Sequence, residues 1–224
     1  MFEKEKKEII KAGMTLDRYG LISLSGGNVS ARMPTGEVLI TPSGMIYEEM
    51  VADDVIVMDL QGKIIEGARK PSSDTEGILY ILQKRPDLNA VIHTHQPYAT
   101  AISLLQDEFS VNLTTLANSA RGNVKITPYS SPGSIDMGID TVENLGDTLV
   151  VILAHHGVNA VGTSLKEALY AAVYLEEAAK SYLAARAVGP TRSMSNAQVQ
   201  QCIDVFKYYG QGTQTIPKDL VKRV

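Results

Sequence analysis

The stretch 88–95, Leu-Asn-Ala-Val-Ile-His-Thr-His, decides the fold that we predict for this chain. Its apolar, β-branched run follows the helix-breaking Pro86 and predicts a buried strand over residues 88–94. Side chains alternate between the two faces of a strand, so His93 and His95 point the same way. Two imidazoles at this spacing can bind one metal ion without distortion of the backbone.

The other two histidines, His155 and His156, follow a second apolar run, residues 149–154. A third imidazole from this segment would complete three nitrogen ligands and leave an open position, as in catalytic zinc sites. Adjacent strand residues face opposite ways, so we expect only one of this pair to be a ligand. A lone histidine at a strand end is more often a hydrogen-bonded polar residue, but two such clusters together favour a metal.

The composition is typical of a water-soluble globular protein. The chain has 224 residues, 44% of them apolar, and a formal charge of −4. It lacks the clustered basic face that nucleic acid would require. Its only cysteine, Cys202, cannot form an intrachain disulfide, which fits a reducing cytoplasm. Because no apolar run approaches the ~20 residues of a membrane helix and the start lacks a signal-peptide core, we expect neither anchoring nor export.

Helices and short strands alternate along the chain, which predicts a mixed α/β fold. We find no internal repeat or composition shift and expect a single domain over residues 1–224, ending in a tail over 211–224. Turn residues separate the short strands between residues 37 and 65 and favour antiparallel pairing. Ser164 is a candidate N-cap. Helices are predicted over 4–18, 75–85, 164–186 and 195–209 and from Pro97 onward, and strands over 38–40, 55–57, 63–65, 88–94, 124–126 and 148–153.

Three segments rich in Gly and Ser could bind an anion: residues 25–30, 41–44 and 71–74. Each by itself is an ordinary turn. Neither the Walker A loop nor the dinucleotide-binding glycine pattern occurs, which disfavours a nucleotide. Backbone N–H groups and hydroxyls can still hold a bare phosphate with little net positive charge. Beside a metal site, we interpret the three loops as an anion pocket.

Asp74 is the candidate acid–base residue. It stands directly before the helix predicted to begin at Thr75, so the alternative is an ordinary N-cap worth about 1 kcal/mol. A carboxylate where a loop meets a helix, next to a metal, can instead move a proton. Glu76 is the second candidate. Tyr208 and Tyr209, near the end of the last predicted helix, are by default surface or interface aromatics.

These residues together resemble the class II (metal-dependent) aldolase and sugar-phosphate epimerase family, most closely its L-fuculose-1-phosphate aldolases. The resemblance implies a three-layer α/β/α domain with a mostly antiparallel mixed sheet. It also implies a homotetramer with active sites between subunits. The motifs occur in the family's order: Gly-Asn-Val-Ser (27–30), Thr-Pro-Ser-Gly (41–44), Pro-Ser-Ser and a carboxylate (71–74), His-Thr-His (93–95), His-His-Gly (155–157) and Phe-Lys-x-Tyr-Gly (206–210).

The resemblance assigns roles to individual residues. It implies that His93, His95 and His156 bind one Zn2+ and that the other histidine of the second pair does not. Asp74 corresponds to the family's catalytic carboxylate, which is glutamate in fuculose-type aldolases and aspartate in ribulose-phosphate 4-epimerases. Tyr209 corresponds to an aldolase tyrosine that reaches a neighbouring subunit's site and helps deliver a proton. The residues implied to hold the substrate phosphate are Gly27, Asn28, Ser43, Gly44, Ser72 and Ser73.

Two departures from the family's patterns bear on the reaction. Where fuculose-type aldolases have a second tyrosine, this chain reads Leu113-Thr114-Thr115, so that proton donor is missing or replaced. The His-Ala-Asp segment of the epimerases is also absent, because residues 115–118 contain no acid. The first departure concerns the aldehyde end of the substrate, and the second counts against epimerisation.

The implied reaction is reversible cleavage of a ketose 1-phosphate, L-fuculose 1-phosphate or a similar sugar, to dihydroxyacetone phosphate and a small aldehyde such as L-lactaldehyde. The alternative within the family is an L-ribulose-5-phosphate 4-epimerase or a related sugar-phosphate decarboxylase. A non-catalytic metal-binding subunit is a further alternative. A serine hydrolase is disfavoured because the chain has no Gly-x-Ser-x-Gly elbow. The expected partner is thus a small sugar phosphate.

Overall fold

One sheet of nine strands runs through the computed structural model, which describes residues 1–211, 213–222 and 224. The strands are β1 (Asn28–Arg32), β2 (Val38–Ile40), β3 (Ile56–Met58), β4 (Ile64–Glu66), β5 (Ala90–Thr94), β6 (Glu108–Phe109), β7 (Val124–Thr127), β8 (Val150–Leu153) and β9 (Gly157–Gly162). Their spatial order is β4-β3-β2-β1-β5-β9-β8-β7-β6. Among the strands of the described residues, only β7 and β8 pair in parallel. The expected mostly antiparallel mixed sheet is confirmed.

Helices cover both faces of this sheet and complete the three layers expected. In the described part of the chain they are α1 (Glu3–Arg18), α2 (Thr75–Lys84), α3 (Pro97–Ile102), α4 (Thr114–Ala120), α5 (Asp136–Leu145), α6 (Leu165–Arg186) and α7 (Asn196–Phe206). Helices α2 and α5 pack together in one layer. Helices α1 and α3 pack on α6 in the other, with α4 against α6 and α7 against α4.

The predicted helices and strands all occur, with ends shifted by at most three residues. The N-cap at Ser164 is confirmed, since its hydroxyl accepts a hydrogen bond from the backbone N–H of Glu167. The last predicted helix starts as expected but ends at Phe206 rather than at residue 209. Local sequence signals thus fix these elements well.

Five of these strands and helices were not predicted: β1, β6, β9, α4 and α5. Residues 25–30 were interpreted as one loop, but the loop stops at Gly27 and β1 begins at Asn28. Val29 and Ser30 are buried because β1 lies between β2 and β5. Such pairing between distant segments leaves no periodic signal in a stretch this short, which is why the loop interpretation was wrong here.

A row of three polar residues crosses the middle of the sheet. Asn28 on β1 and Asn159 on β9 both lie opposite His93 on β5, which is the central strand. Opposite residues in antiparallel strands project to the same face. All three are at most 1% exposed. The fold therefore places an imidazole, with an amide on either side, deep inside the protein.

The layer that covers this face depends on a close contact between α2 and α5. A Cβ on Gly138 of α5 would lie 2.3 Å from the carbonyl oxygen of Gly77 and 2.7 Å from its Cα. Both atoms belong to the backbone of α2, so neither can rotate away. The two helices therefore cross at a distance that only glycine allows.

We predict that Gly138→Ala lowers the free energy of unfolding by about 1–3 kcal/mol, because an added methyl group must push α2 and α5 apart. Gly189→Ala is the matched control, since a Cβ there would meet no atom within 4 Å; we expect a change below about 0.5 kcal/mol. Urea denaturation of both variants measures the difference. Equal stability of the two variants would contradict the close crossing.

Candidate active site

Three histidines converge at the carboxyl end of β5. His93 lies in β5, His95 follows the end of that strand, and His156 lies in the turn between β8 and β9. Their ring centroids are 4.8, 4.8 and 5.2 Å apart. One nitrogen of each ring lies within 4.8 Å of the others. The structure thus brings together the three side chains that the family resemblance assigns to a metal.

A turn, rather than a strand, sets the geometry of the second histidine pair. The N–H of His156 donates to the carbonyl of Leu153 across this turn, at 3.1 Å. His155 has a left-handed backbone, with φ of 59°, and is exposed. Alternating strand faces were expected to separate the two imidazoles of this pair, but the turn separates them instead. Of the two imidazoles, only that of His156 joins the cluster.

Two glycines allow neighbouring backbone to approach these histidines. A Cβ on Gly157 would lie 2.1 Å from the carbonyl oxygen of Thr94 and 3.3 Å from Cα of His95. A Cβ on Gly27, whose φ is +71°, would lie 2.5 Å from the carbonyl oxygen of His93. Each of the motifs Gly-Asn-Val-Ser and His-His-Gly thus contains the glycine that lets its segment lie against the end of β5.

The hydrogen bonds of His93 leave one ring nitrogen free. Its Nδ1 lies 3.1 Å from the carbonyl oxygen of Val158 and 3.0 Å from Oδ1 of Asn159. Both neighbours are acceptors, so Nδ1 carries the proton. Nε2 is buried and has no partner. Burial, with a smaller effect of the two other histidines, lowers the pKa of His93 to about 3. The ring is therefore neutral at physiological pH, as a metal ligand must be.

The other two imidazoles are held in the same state. Burial lowers the pKa of both His95 and His156, and the negative charge of Asp74 opposes this only in part. Six buried side-chain polar atoms in the described residues have no hydrogen-bond partner, and three of them are His93 Nε2, His156 Nδ1 and Asn28 Oδ1. Unpartnered buried atoms are rare in proteins, and those on His93 and His156 are explained if both rings bind an ion.

Asp74 occupies the N-cap position of α2, yet its side chain does not cap the helix. One carboxylate oxygen, Oδ2, accepts a hydrogen bond from Nδ2 of Asn28 at 2.7 Å instead. The N-cap interpretation is thus wrong for the side chain, although the position was right. Asp74 is buried and lines the same cavity as His95 and His156. Glu76 is exposed and lies outside the residues that line this cavity.

The cavity beside the histidines has a volume of about 150 Å³. Every residue implied to hold the substrate phosphate lines it except Asn28, whose two amide hydrogens are directed at Asp74 and at Oγ of Ser72. Its walls are Ser25, Gly26, Gly27, Pro42, Ser43, Gly44, Ser72, Ser73, Asp74, Pro132, His95 and His156. The three Gly- and Ser-rich loops therefore meet at one place.

Backbone hydrogen bonds join two of these loops. The N–H of Ser43 donates to the carbonyl of Lys70 at 2.9 Å, and the N–H of Ser72 donates to that of Thr41 at 3.2 Å. The loop that contributes Pro132 was not predicted from the sequence. Its Ser-Pro-Gly-Ser composition is a turn signal, but its approach to the cavity, where Gly133 lies close to Ser73, is a tertiary contact that the sequence does not reveal.

Tyr209 lies apart from this cavity in the chain. The residue is 71% exposed, and its ring stacks on that of Phe206 with the ring centroids 4.5 Å apart. It lines a separate groove of about 520 Å³ together with Thr114 and Cys202. The structure of one chain thus does not bring Tyr209 to the histidines, and its role as a proton donor stays a prediction that requires a second copy.

The donor set fits a metal ion of the zinc type. Neutral imidazole nitrogens bind zinc at about 2.0–2.1 Å, and three protein ligands leave a position open for substrate. Two of the three rings have a buried nitrogen without a partner, which is the state expected of a ligand atom before it is bound. The arrangement can therefore hold a metal while a carboxylate lies at its side.

Comparison with known proteins agrees with this geometry. Residues 7–183 match the Class II Aldolase and Adducin N-terminal domain family. The chain is 34% identical to a 5-deoxy-D-ribulose 1-phosphate aldolase of Bacillus thuringiensis serovar kurstaki, over 94% of this chain and 99% of the relative. It is also 34% identical to the L-ribulose-5-phosphate 4-epimerase UlaF of Salmonella paratyphi C, over 93% and 99%. A solved L-fuculose 1-phosphate aldolase superposes with a TM-score of 0.85 at 30% identity, over 91% and 96%.

The chain belongs to the class II aldolase and adducin family and is a class II aldolase-type enzyme. Class II aldolases depend on a metal, and their family acts on sugar phosphates. Among the helices that the structure describes, we find none with the length and hydropathy of a membrane span.

We predict that His156→Ala abolishes stoichiometric zinc binding, whereas His155→Ala leaves it unchanged, because only the first removes a ring from the cluster. Atomic absorption of dialysed protein, together with the melting temperature with and without Zn2+, gives both answers. Loss of zinc in His155→Ala, or its retention in His156→Ala, would contradict the assignment.

Proposed function

We propose that this enzyme is a zinc-dependent aldolase that reversibly cleaves a ketose 1-phosphate, such as L-fuculose 1-phosphate, to dihydroxyacetone phosphate and a small aldehyde such as L-lactaldehyde. The observation that carries the proposal is the buried Asp74 carboxylate in the same cavity as His95 and His156. Metal ligands, a group that can move a proton and a pocket for an anion thus share one small volume, as this cleavage requires.

His93, His95 and His156 would hold the Zn2+. When bound, the metal supplies positive charge that stabilises the negative charge developing beside the substrate carbonyl as the C3–C4 bond breaks. Two features of the site favour metal binding. The lowered pKa values keep all three rings neutral, and Nε2 of His93 has no other hydrogen-bond partner.

The Gly- and Ser-rich loops would bind the phosphate group of the substrate. Oγ of Ser72 accepts hydrogen bonds from Asn28 Nδ2 at 3.1 Å and from the N–H of Asp74 at 3.3 Å. With both lone pairs engaged, its own proton is left to donate to a phosphate oxygen. We propose that Asn28 serves the pocket by holding Ser72 and Asp74, and that the donors are the N–H and hydroxyl groups of Gly27, Ser43, Gly44, Ser72 and Ser73.

Asp74 would transfer the proton at C3. In the cleavage direction it delivers this proton to the three-carbon fragment, and in the synthetic direction it removes it. The Asn28 hydrogen bond occupies Oδ2, which leaves the other carboxylate oxygen to act. Tyr209 of a neighbouring copy would transfer the proton at the aldehyde oxygen. Tyr209 is exposed and does not line the histidine cavity of its own chain, so it is free to reach the site of another subunit. This supports a homotetramer with sites between subunits.

Epimerisation at C4 is the second candidate function. It is favoured by the aspartate at position 74 and by the 34% identity to an L-ribulose-5-phosphate 4-epimerase. It is opposed by residues 115–118, which lie in α4 and offer no carboxylate for a second proton transfer. We therefore rank aldol cleavage first. Epimerisation and decarboxylation of a related sugar phosphate together form the second candidate.

We predict that the zinc-loaded enzyme releases dihydroxyacetone phosphate from L-fuculose 1-phosphate or 5-deoxy-D-ribulose 1-phosphate and leaves L-ribulose 5-phosphate unchanged. A coupled NADH assay detects the three-carbon product, and NMR of the sugar detects inversion at C4. Inversion of L-ribulose 5-phosphate at C4, without release of the three-carbon product from any ketose 1-phosphate, would contradict the aldolase proposal and support the epimerase.

We predict that Asp74→Asn lowers kcat at least about 100-fold, because the group that moves the proton is lost, while zinc content stays native. Glu76→Gln is the matched control, two residues away and exposed, and its kcat should stay within about twofold of native. The reverse ranking of the two variants would show that Glu76 is the working residue. Full activity of both would point to a subunit whose chemistry lies elsewhere.

A further inference from the structure

Asn159 is a buried amide in an otherwise apolar strand. It lies in the middle of β9, whose sequence is Gly-Val-Asn-Ala-Val-Gly, and is 1% exposed. An amide buried without hydrogen bonds costs free energy, so its partners explain its presence. Its position opposite His93 in the sheet places the two side chains on the same face.

A chain of hydrogen bonds fixes which way the Asn159 amide faces. The carbonyl oxygen of Met137 can only accept, so the Thr141 hydroxyl donates to it at 2.7 Å. Oγ1 of Thr141 then accepts from Nδ2 of Asn159 at 2.8 Å. Oδ1 of Asn159 is thereby directed at His93 Nδ1, at 3.0 Å. A backbone carbonyl on α5 thus sets the polarity of every bond up to the imidazole.

The carbonyl of Val158 also lies 3.1 Å from Nδ1 of His93. This oxygen and Oδ1 of Asn159 are both acceptors, so both favour the tautomer with the proton on Nδ1. The carbonyl of Val158 is part of the strand backbone, whereas Oδ1 of Asn159 belongs to a side chain and takes no part in the pairing of the strands. Asn159 is therefore the partner that a side-chain substitution can remove while the strand pairing stays intact.

This chain of bonds also ties the histidine to the layer that carries the carboxylate. Thr141 lies on α5, and α5 packs on α2 through the contact of Gly138 with Gly77. Helix α2 begins directly after Asp74. The packed pair of α2 and α5 thus contributes both Thr141, which binds the partner of His93, and the helix that begins directly after Asp74.

We propose that Asn159, held by Thr141, is a positioning residue of the metal site: it orients the His93 ring and keeps its proton on Nδ1, so that Nε2 is the ligand atom. This inference rests on the proposed metal site. Hydrogen bonds from the far nitrogen of a ligating histidine fix the orientation of the ring and raise its basicity, and their loss costs about 10- to 100-fold in metal affinity.

Zinc affinity, measured by competition with a chromophoric chelator, tests the proposal. We expect Asn159→Leu to weaken binding about 10- to 100-fold. Asn159→Asp keeps an acceptor for Nδ1, and because the Thr141 hydroxyl can turn to donate to its second carboxylate oxygen, we expect affinity close to native. Thr141→Val should weaken binding in the native background but have no further effect in Asn159→Leu, because Thr141 acts only through Asn159.

Ser119→Ala is the matched control. Ser119 is a buried helix residue whose hydroxyl donates to the carbonyl four residues earlier, at 2.8 Å, as that of Thr141 does, but it lies in α4 without a bond to the histidines. Its zinc affinity should be native. Circular dichroism and the melting temperature of the apo-proteins show whether each variant is folded.

The tautomer of His93 in the apo-protein gives a second readout that needs no metal. Nitrogen-15 NMR of the four histidines should show His93 protonated on Nδ1 alone. An Nε2-protonated His93, or Asn159→Asp as weak as Asn159→Leu, would overturn the proposal. So would equal weakening by Thr141→Val and Ser119→Ala. Failure of the native protein to bind zinc at all would instead refute the proposed function, and the NMR result would still judge the hydrogen-bond chain.

Discussion

The complete burial of His93 in the central strand is the constraint on which the site depends. An imidazole without access to water must be neutral and must find partners for its polar atoms. Strand β9 supplies two acceptors for Nδ1, and the protein supplies nothing for Nε2. The ring therefore presents one lone pair in a fixed direction. His95 and His156 gather around that direction, and Asp74 lies in the cavity beside them.

Close approach of backbone to backbone makes this arrangement possible. Gly27 and Gly157 let β1 and the turn after β8 lie against the last residues of β5, at distances where a side chain would collide. Gly138 does the same for the helix layer that covers Asn159. The site thus depends on glycines, which have no side chain to collide, as much as on the residues that would react. This explains why the Gly-Asn-Val-Ser and His-His-Gly motifs contain glycine.

Much of this could be predicted from the sequence, and the reasons for success and failure differ from residue to residue. The pairing of His93 with His95 follows from the two-residue period of a strand, which is a local property. The hydrogen bond between Asn28 and Asp74 could not be predicted, because it depends on where β1 pairs in the sheet. The histidine turn at His156 was assigned to a strand because an apolar run does not reveal where it turns. The position of Tyr209 relative to a substrate depends on a second chain, which one sequence does not display.

The central claim is that three imidazoles of one chain bind a single zinc ion beside a carboxylate that moves protons. Zinc X-ray absorption of the reconstituted protein tests its first half directly. The account predicts three imidazole nitrogens at about 2.0–2.1 Å and one additional light-atom ligand that changes when a ketose 1-phosphate is added. A first shell with fewer than three imidazoles, or one that substrate leaves unaltered, would contradict it.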